Sequence, residues 1–371
     1  MTGPSLKNLF KEIPINSLAD ATVARRVAEN YAAFFGMTKK RQAEIALVAS
    51  ELAHNHIQHQ TSHGLIRFSG TEIGGTYCLT IASLDNGPGI IDVNRALYGK
   101  SSSKGLGAGL KTVAGLSDRF AICSGTSGKT LCSGIQGCDY ATIIVSTVWT
   151  DRNSHPKLFD SELDVSVLNK PRGGVSGDGV MVQHDSPYVR ITLVDSAGHG
   201  SPAAMITEQV WAELEKLALF WPVDHVVREL ENKMADTRGL AVHCLCLNRL
   251  DSTLQSAGVG NVRVRLYLDG KCVIPPVQGG VVGHLKWQTI HRHDYGPFDE
   301  ILAFMHTDGH QPLPEFDLNS FFKKNNVCGP VRMRGSFPRG ISASVWTQLL
   351  FDPGHIQPDD TALLVWQWPG K

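Results

Sequence analysis

The chain has no surplus of charge. Thirty-five lysines and arginines balance thirty-five aspartates and glutamates, and the isoelectric point is near 7.2. An overall pull toward nucleic acid or an anionic membrane is therefore missing, and neither is expected as a partner. No apolar run approaches the roughly 18 to 20 residues that span a bilayer. Residues 1–12 lack the long apolar segment of a secretory signal, so a cytoplasmic location is expected. The eight cysteines include no Cys-x-x-Cys pair, which disfavours a zinc site or redox motif and leaves reduced, mostly buried thiols. A P-loop is also lacking: Gly99-Lys100-Ser101 and Gly128-Lys129-Thr130 have Asn94 and Cys123 where that motif needs its first glycine. What remains is globular, with 42% apolar and 19% charged residues over 371 positions, enough for about two domains.

The two halves differ in pattern. The first opens with helical periodicity over Ala19 to Phe35, stopped by Gly36, and over Lys39 to about Gln60, where Ile45, Val48, Ala49 and Leu52 repeat at helical spacing. Lys39-Lys40-Arg41 reads as a solvated charged face. Strands are expected at Leu65 to Phe68 and Thr76 to Leu84 around a Gly74-Gly75 turn, then a short helix from Ala108 to Leu116, then strands at Arg119 to Ser124 and Tyr140 to Val148. This order implies an α+β domain over 1–150, with helices on one face of a mixed sheet. Polar, aperiodic residues 151–160 read as a linker between separately folded domains. Residues 161–371 then carry many short antiparallel strands interrupted by helices near Pro202 to Ala218 and Val223 to Met234, a sandwich with helical covers. No internal repeat is present, so the chain reads as a fusion.

Three pieces of the first half point to a nucleotide. Glu51 and Asn55 lie four apart and share a helix face, where an amide oxygen can bind Mg²⁺ and a carboxylate can accept a proton. Asp85-Asn86-Gly87-Pro88-Gly89 puts an acid at a strand end beside glycines, suited to a purine amino group. Gly105, Gly107 and Gly109 open a helix whose N–H groups can cradle phosphate. A Rossmann site fits poorly, because no βαβ unit surrounds these glycines.

In this order, the three boxes resemble the N, G1 and G2 boxes of the GHKL ATPase superfamily. The short domain is most similar to the anti-sigma and switch-protein serine kinases of the RsbT/RsbW type. The resemblance implies a Bergerat-fold α/β sandwich that binds ATP/ADP with Mg²⁺. It gives Asn55 to the metal, Glu51 to the base or water-positioning role, and Asp85 to adenine. Gly87, Gly89, Gly105, Gly107, Gly109 and Thr130 complete the nucleotide set, and a lid is implied between Ile91 and Lys104. The implied phosphoacceptor is a serine or threonine on a STAS-domain protein, with a sigma factor or downstream regulator as a further partner.

In the second half, Asp178, Asp195, Asp308 and the Asp359-Asp360 pair sit at strand ends beside glycines or turns. Carboxylates converging on one edge of a sandwich select Mg²⁺ or Mn²⁺, and two such ions can activate water against a phosphoryl group. The set resembles the SpoIIE-type branch of the type 2C phosphatases, with an αββα sandwich and RsbX-like small size. Gly177-Asp178, Asp195-x-x-Gly198-His199-Gly200 and Thr307-Asp308-Gly309 match. Ala362 replaces a threonine in the fourth motif, and Ser176 replaces a glycine in the first. The resemblance implies two Mn²⁺ or Mg²⁺ held by Asp178, Asp195, the Ser196 carbonyl, Asp308 and Asp359, and leaves the part played by Asp360 open. His56, His59 and His63 are expected on one polar helix face, and His199 is expected to shape its turn. Two readings of the whole are open: opposing kinase and phosphatase activities on a STAS protein, or a phosphatase whose ATPase-like half only binds a partner or sigma factor.

Overall fold

The computed structural model describes residues 9–61, 63–73, 76–98, 108–125, 131, 140–150, 163–285, 289–310, 313, 341–351 and 359–369. The expected linker at 151–160, the Gly74-Gly75 turn, Gly105, Gly107, Thr130 and residues 99–104 of the expected lid lie outside these residues.

Among the described residues, three sheets of five strands organise the chain. The first contains β1 (Leu9–Pro14), β2 (Leu65–Ile73), β3 (Thr76–Asp85), β4 (Arg119–Ser124) and β5 (Thr142–Trp149), in the order β1-β2-β3-β5-β4. Every pairing in it is antiparallel rather than mixed, because β5 inserts between β3 and β4 and pairs with both. The edge strand β1 carries Lys11, Glu12 and Pro14, residues that suit an edge and hide it from a hydrophobic pattern search. Helices α1 (Leu18–Phe34), α2 (Lys39–Gln58), α3 (Val93–Tyr98) and α4 (Ala108–Leu116) follow the same half. Ser17 and Asp20 form a reciprocal capping box that starts α1, and Thr38 caps α2 through the Arg41 N–H. The small residues Ala21, Ala24, Ala28 and Ala32 let α1 approach closely, in one core with Ile45, Val48 and Leu52 of α2. Arg41 is not solvated as expected. It is buried, pairs with Asp118 and donates to the carbonyls of Leu116 and Trp149, fastening α2 to the end of α4 and to β5.

In the second half, one sheet is formed by β7 (Asp178–Asp185), β8 (Tyr188–Ser196), β9 (Leu240–Asn248), β10 (Thr253–Val259) and β13 (His293–Tyr295). The other contains β6 (Asp164–Lys170), β11 (Arg263–Leu268), β12 (Lys271–Val273), β14 (Ile301–His306) and β15 (Thr361–Trp368). Their inner faces share a core that includes Leu193, Leu245, Leu266, Met305 and Trp366. Helices α5 (Ser201–Leu214) and α6 (Val223–Lys233) cover the outer face of the first of these sheets through Val210, Val226 and Leu230.

The outer face of the β6–β15 sheet is covered by α7 (Ala343–Leu350), whose further side meets the sheet of the first half. One apolar cluster joins Ala82, Ala121 and Val145 to Trp346, Leu349 and Leu350 and on to Phe304 and Val365. Seven of the eight α7 residues are buried, so no polar face marks it in the sequence. So short a helix is marginal in isolation, and its stability comes from the two sheets that enclose it. Polar side chains cross the same boundary. Asp164 of β6, fully buried, pairs with Arg119 of β4 and accepts from the Ala343 N–H at the start of α7 and from Gln367 Nε2. Arg67 of β2 donates to Glu12 at 2.8 Å and to Gln348 of α7 at 2.8 Å, and lies over the Phe351 ring. The halves are thus packed together through a shared core, where the polar linker had suggested separate folding.

Candidate functional site

In the first half, α2 brings its polar residues against the first turn of α4. A Cβ added at Gly109 would sit 2.6 Å from Glu51 Oε2 and 3.8 Å from Asn55 Oδ1. Only a glycine leaves room for this approach, and both groups remain half-buried rather than sealed. Asp85 ends β3 and is buried; burial raises its pKa, and the Gly87 N–H, donating to its Oδ1 at 2.7 Å, opposes the rise. Gly87 lacks a side chain where one would meet that same oxygen and Thr61. Gly89 has φ +78°, and a Cβ there would collide with the Gly125 carbonyl oxygen. The Ile90 N–H donates to Ser124 Oγ at 2.7 Å, so the glycine loop is tied to the end of β4. The cradle that a Gly109 side chain would fill, flanked by a carboxylate and an amide, fits a nucleotide with its metal. Asn55 would hold the metal and Asp85 the base.

The histidines do not share a face. Helix α2 ends at Gln58, and Gln60 and His63 take positive φ beyond it. His56 is instead buried beneath Asp85, with Nδ1 2.9 Å from Thr61 Oγ1, Nε2 2.9 Å from Ser83 Oγ, and Nδ1 3.9 Å from the Asp85 carboxylate. Burial pushes its pKa down to about 4, so it is neutral and supports the Asp85 loop. The sequence holds a weak signal for this, since His56 falls at i+4 from Leu52, on the buried stripe.

In the second half, the β7–β8 register sets Asp178 directly opposite Asp195. Asp308 follows the end of β14, and Asp359 stands just before β15, its antiparallel neighbour. The sandwich brings these ends together. The Asp195 side chain is within hydrogen-bond reach of both Asp178 and Asp308. Its pKa is pushed up to about 7, first by burial and then by the charges of Asp308 and Asp359. Asp178 is raised well above the usual carboxylate range by burial and by Asp195, and its Oδ2 is buried without a hydrogen-bond partner among the described residues. Among those residues, no three His, Cys, Asp or Glu side chains already close around one point. Crowded acids with an orphaned buried oxygen fit hard divalent cations, which would reverse the sign of the local field. Asp178, Asp195, Asp308 and Asp359 would hold them.

Asp360 does different work. Its two oxygens accept from the backbone N–H groups of Arg172 and Gly177 at 2.6 and 2.7 Å, which fixes the loop leading into Asp178. Asn261 donates to Asp308 Oδ2 at 2.6 Å, a contact that sequence reasoning did not find. Ser196 hydrogen-bonds through its hydroxyl to Thr207 at 2.8 Å, and its carbonyl oxygen lies 3.3 Å from where a Gly177 Cβ would stand. His199 is exposed on its loop. Gly309 has no side chain where one would overlap the Asp360 carbonyl.

Comparison with known proteins matches two separate stretches of the chain. Residues 16–133 match the histidine kinase-like ATPase domain family, and residues 185–369 match stage II sporulation protein E. Over 106 residues the chain is 38% identical to the serine/threonine-protein kinase RsbT of Bacillus subtilis, covering 28% of this chain and 79% of that one. Among solved structures, it is similar to RsbX in complex with magnesium, with TM-score 0.45, 20% identity and coverage of 55% and 94% of the two chains. It is also similar to the PP2C phosphatase domain and regulatory fragment of SpoIIE from Bacillus subtilis, with TM-score 0.43, 12% identity and coverage of 95% of each. The chain is a kinase-like ATPase fused to a type 2C serine/threonine phosphatase domain. Its first half belongs to the RsbT family, and its second is of the SpoIIE type.

Proposed function

We propose that the chain sets the phosphorylation state of a STAS-domain protein from both directions, as a kinase through its first half and a phosphatase through its second. What supports this reading is that one chain sets Glu51 and Asn55 against Gly109 and gathers Asp178, Asp195, Asp308 and Asp359 at one end of the sandwich. When bound, ATP with Mg²⁺ supplies the phosphoryl group in the first site. Asn55 orients the metal, Asp85 selects the purine, and Glu51 accepts the proton of the attacking serine or threonine hydroxyl. When bound, divalent cations in the second site supply Lewis acidity and a water acidic enough to lose its proton near neutral pH. There the four aspartates position the cations, Asp360 orders the Asp178 loop and Asn261 orients Asp308. The proposed domain division is 1–150 and 161–371.

Incubation of the full chain with labelled ATP and a STAS-domain protein, with and without Mn²⁺, tests this. Label should enter the partner on serine or threonine and leave it when Mn²⁺ is added after ATP is exhausted. If ATP binds but no label transfers to any STAS protein, the first half is a nucleotide-dependent binding module for its partner.

A further inference from the structure

Asp195 also lines a cavity of about 340 Å³, with Ala197, Leu240, Gly260, Asn261 and Val281 among its other walls. The cavity therefore opens directly beside the carboxylate centre, and its wall at Asn261 is the residue bonded to Asp308. It is built rather than incidental. Residues 277–285 form a flap held on both sides. Gln278 exchanges backbone hydrogen bonds with Gly258 and Gly260 at 2.9 Å, and Val282 does so with Leu240 at 2.9 and 3.1 Å. The flap's Gly283 and Leu285 N–H groups donate to the two oxygens of Glu231 on α6. The walls are small or apolar, apart from Asp195 and Asn261.

Arg238 lies on the turn between α6 and β9, two residues before the wall residue Leu240. Its backbone is fixed: the Gly239 N–H donates to Thr237 Oγ1 at 3.0 Å, and the Ala197 N–H donates to the Gly239 carbonyl at 3.0 Å. The second bond ties this turn to the loop that carries Asp195. The Arg238 side chain is exposed, with a guanidinium nitrogen 3.4 Å from where a Gly198 Cβ would stand. Among the described residues it enters no ion pair and no hydrogen bond. An arginine beside a group of acids would ordinarily pair with one of them. This one is held next to their loop with its donors free, and a guanidinium fork matches two oxygens of a phosphate dianion.

We propose that Arg238 binds the phosphate of the incoming phosphoserine or phosphothreonine, and that the adjacent cavity receives the uncharged residue flanking it. This rests on the phosphatase reading of the second half. The arginine contributes charge on the face of the phosphate turned away from the aspartates, and the flap contributes a small apolar seat that selects among peptide sequences.

The test uses the full chain with Mn²⁺, a phosphoserine peptide, a small aryl phosphate, and inorganic phosphate as product inhibitor. Arg238→Ala should raise KM for the peptide and weaken inhibition by inorganic phosphate about 10- to 100-fold, the range of a lost hydrogen bond to a charged group. Arg238→Lys should recover part of the loss, and calorimetric Mn²⁺ affinity should stay as in the wild type. Val281→Phe, which fills the seat without adding charge beside Asp195, should raise KM for the peptide more than KM for the aryl phosphate. Unchanged KM and unchanged phosphate inhibition in Arg238→Ala would overturn the assignment. A loss of Mn²⁺ affinity in step with activity would overturn it too, by showing that Arg238 only supports the metal loop. Wild-type protein that binds Mn²⁺ yet hydrolyses neither substrate would instead sink the phosphatase reading, and this inference with it.

Discussion

The two centres are assembled in opposite ways. The proposed nucleotide site draws Glu51 and Asn55 from a single helix, so their spacing is fixed by the helical repeat before any tertiary contact forms. The proposed carboxylate centre draws Asp178, Asp195, Asp308 and Asp359 from four strand ends on two stacked sheets. Its geometry exists only when both sheets are registered and packed. The first kind of site tolerates small shifts of the scaffold; the second converts a shift between sheets into a change of metal geometry.

Removing one member separates the two designs most sharply in the second centre. Asp195→Ala deletes the carboxylate that stands between Asp178 and Asp308, and metal-dependent phosphatase activity should fall to the level of metal-free protein. A nucleotide-binding titration on the same variant should be unchanged, and a parallel loss of ATP binding would mean that the centres are not separable. In the first centre, Glu51→Gln should retain ATP affinity while slowing transfer to a STAS protein by about 10²–10⁴, the usual weight of a general base. Single-turnover transfer kinetics measure this directly, and an undiminished rate would remove Glu51 from the mechanism.

The contact between the halves can be broken on its own. Asp164→Ala leaves Arg119 buried without its carboxylate and the start of α7 without an acceptor. The expected cost is about 3–5 kcal/mol, as for other buried pairs that lose one partner. Denaturant unfolding followed separately by nucleotide binding and by phosphatase activity should lose both functions in one shifted transition. Two resolved transitions would show that the halves unfold independently.

Acid should weaken both halves, over different ranges. Burial holds neutral His56 at a pKa of about 4 and His243 at about 3, below the ordinary 6.5. For such groups the unfolded chain binds more protons. Stability is therefore full above about pH 6.5 and falls as the pH drops, levelling near 4 for His56 and near 3 for His243. The loss from His56 is on the order of 3 kcal/mol. Melting curves of His56→Gln and His243→Gln between pH 7 and pH 4 should each fall less steeply than wild type. A smaller effect is expected at adenine. Asp85→Asn exchanges an acceptor-only group for a mixed one and should weaken ATP binding by roughly tenfold or somewhat more, measured by calorimetry.

How much of this could be read in the sequence follows from the same contrast. Glu51, Asn55 and the ends of α4 were legible because helical spacing is local. Asp178, Asp195 and Asp308 were legible only through their glycine-flanked motifs, since nothing in linear spacing places β7 opposite β8. Asp360 shows the limit from the other side: one residue from Asp359, it faces the Arg172–Gly177 backbone, a difference decided by loop geometry. Helix α7 was missed because burial on all sides removes the polar stripe that reveals a helix, and Val345, Trp346 and Thr347 also suit a strand. Strand β1 was missed for the opposite reason, its edge position favouring charges over alternation. Arg41 read as solvated because a sequence cannot show that Asp118 waits 77 residues later.

The enclosure of α7 has a practical side. A fragment ending near residue 150 would present Ala82, Ala121 and Val145 to water, and a fragment beginning near residue 161 would present Trp346 and Leu350. Such bared patches are sticky, so each excised half is expected to self-associate or precipitate at working concentrations. The boundary that looks natural in the linear chain is thus a poor place to cut it. Any exchange of one half for a relative's, in the laboratory or over evolutionary time, would have to carry a matching set of small and large side chains across the cut.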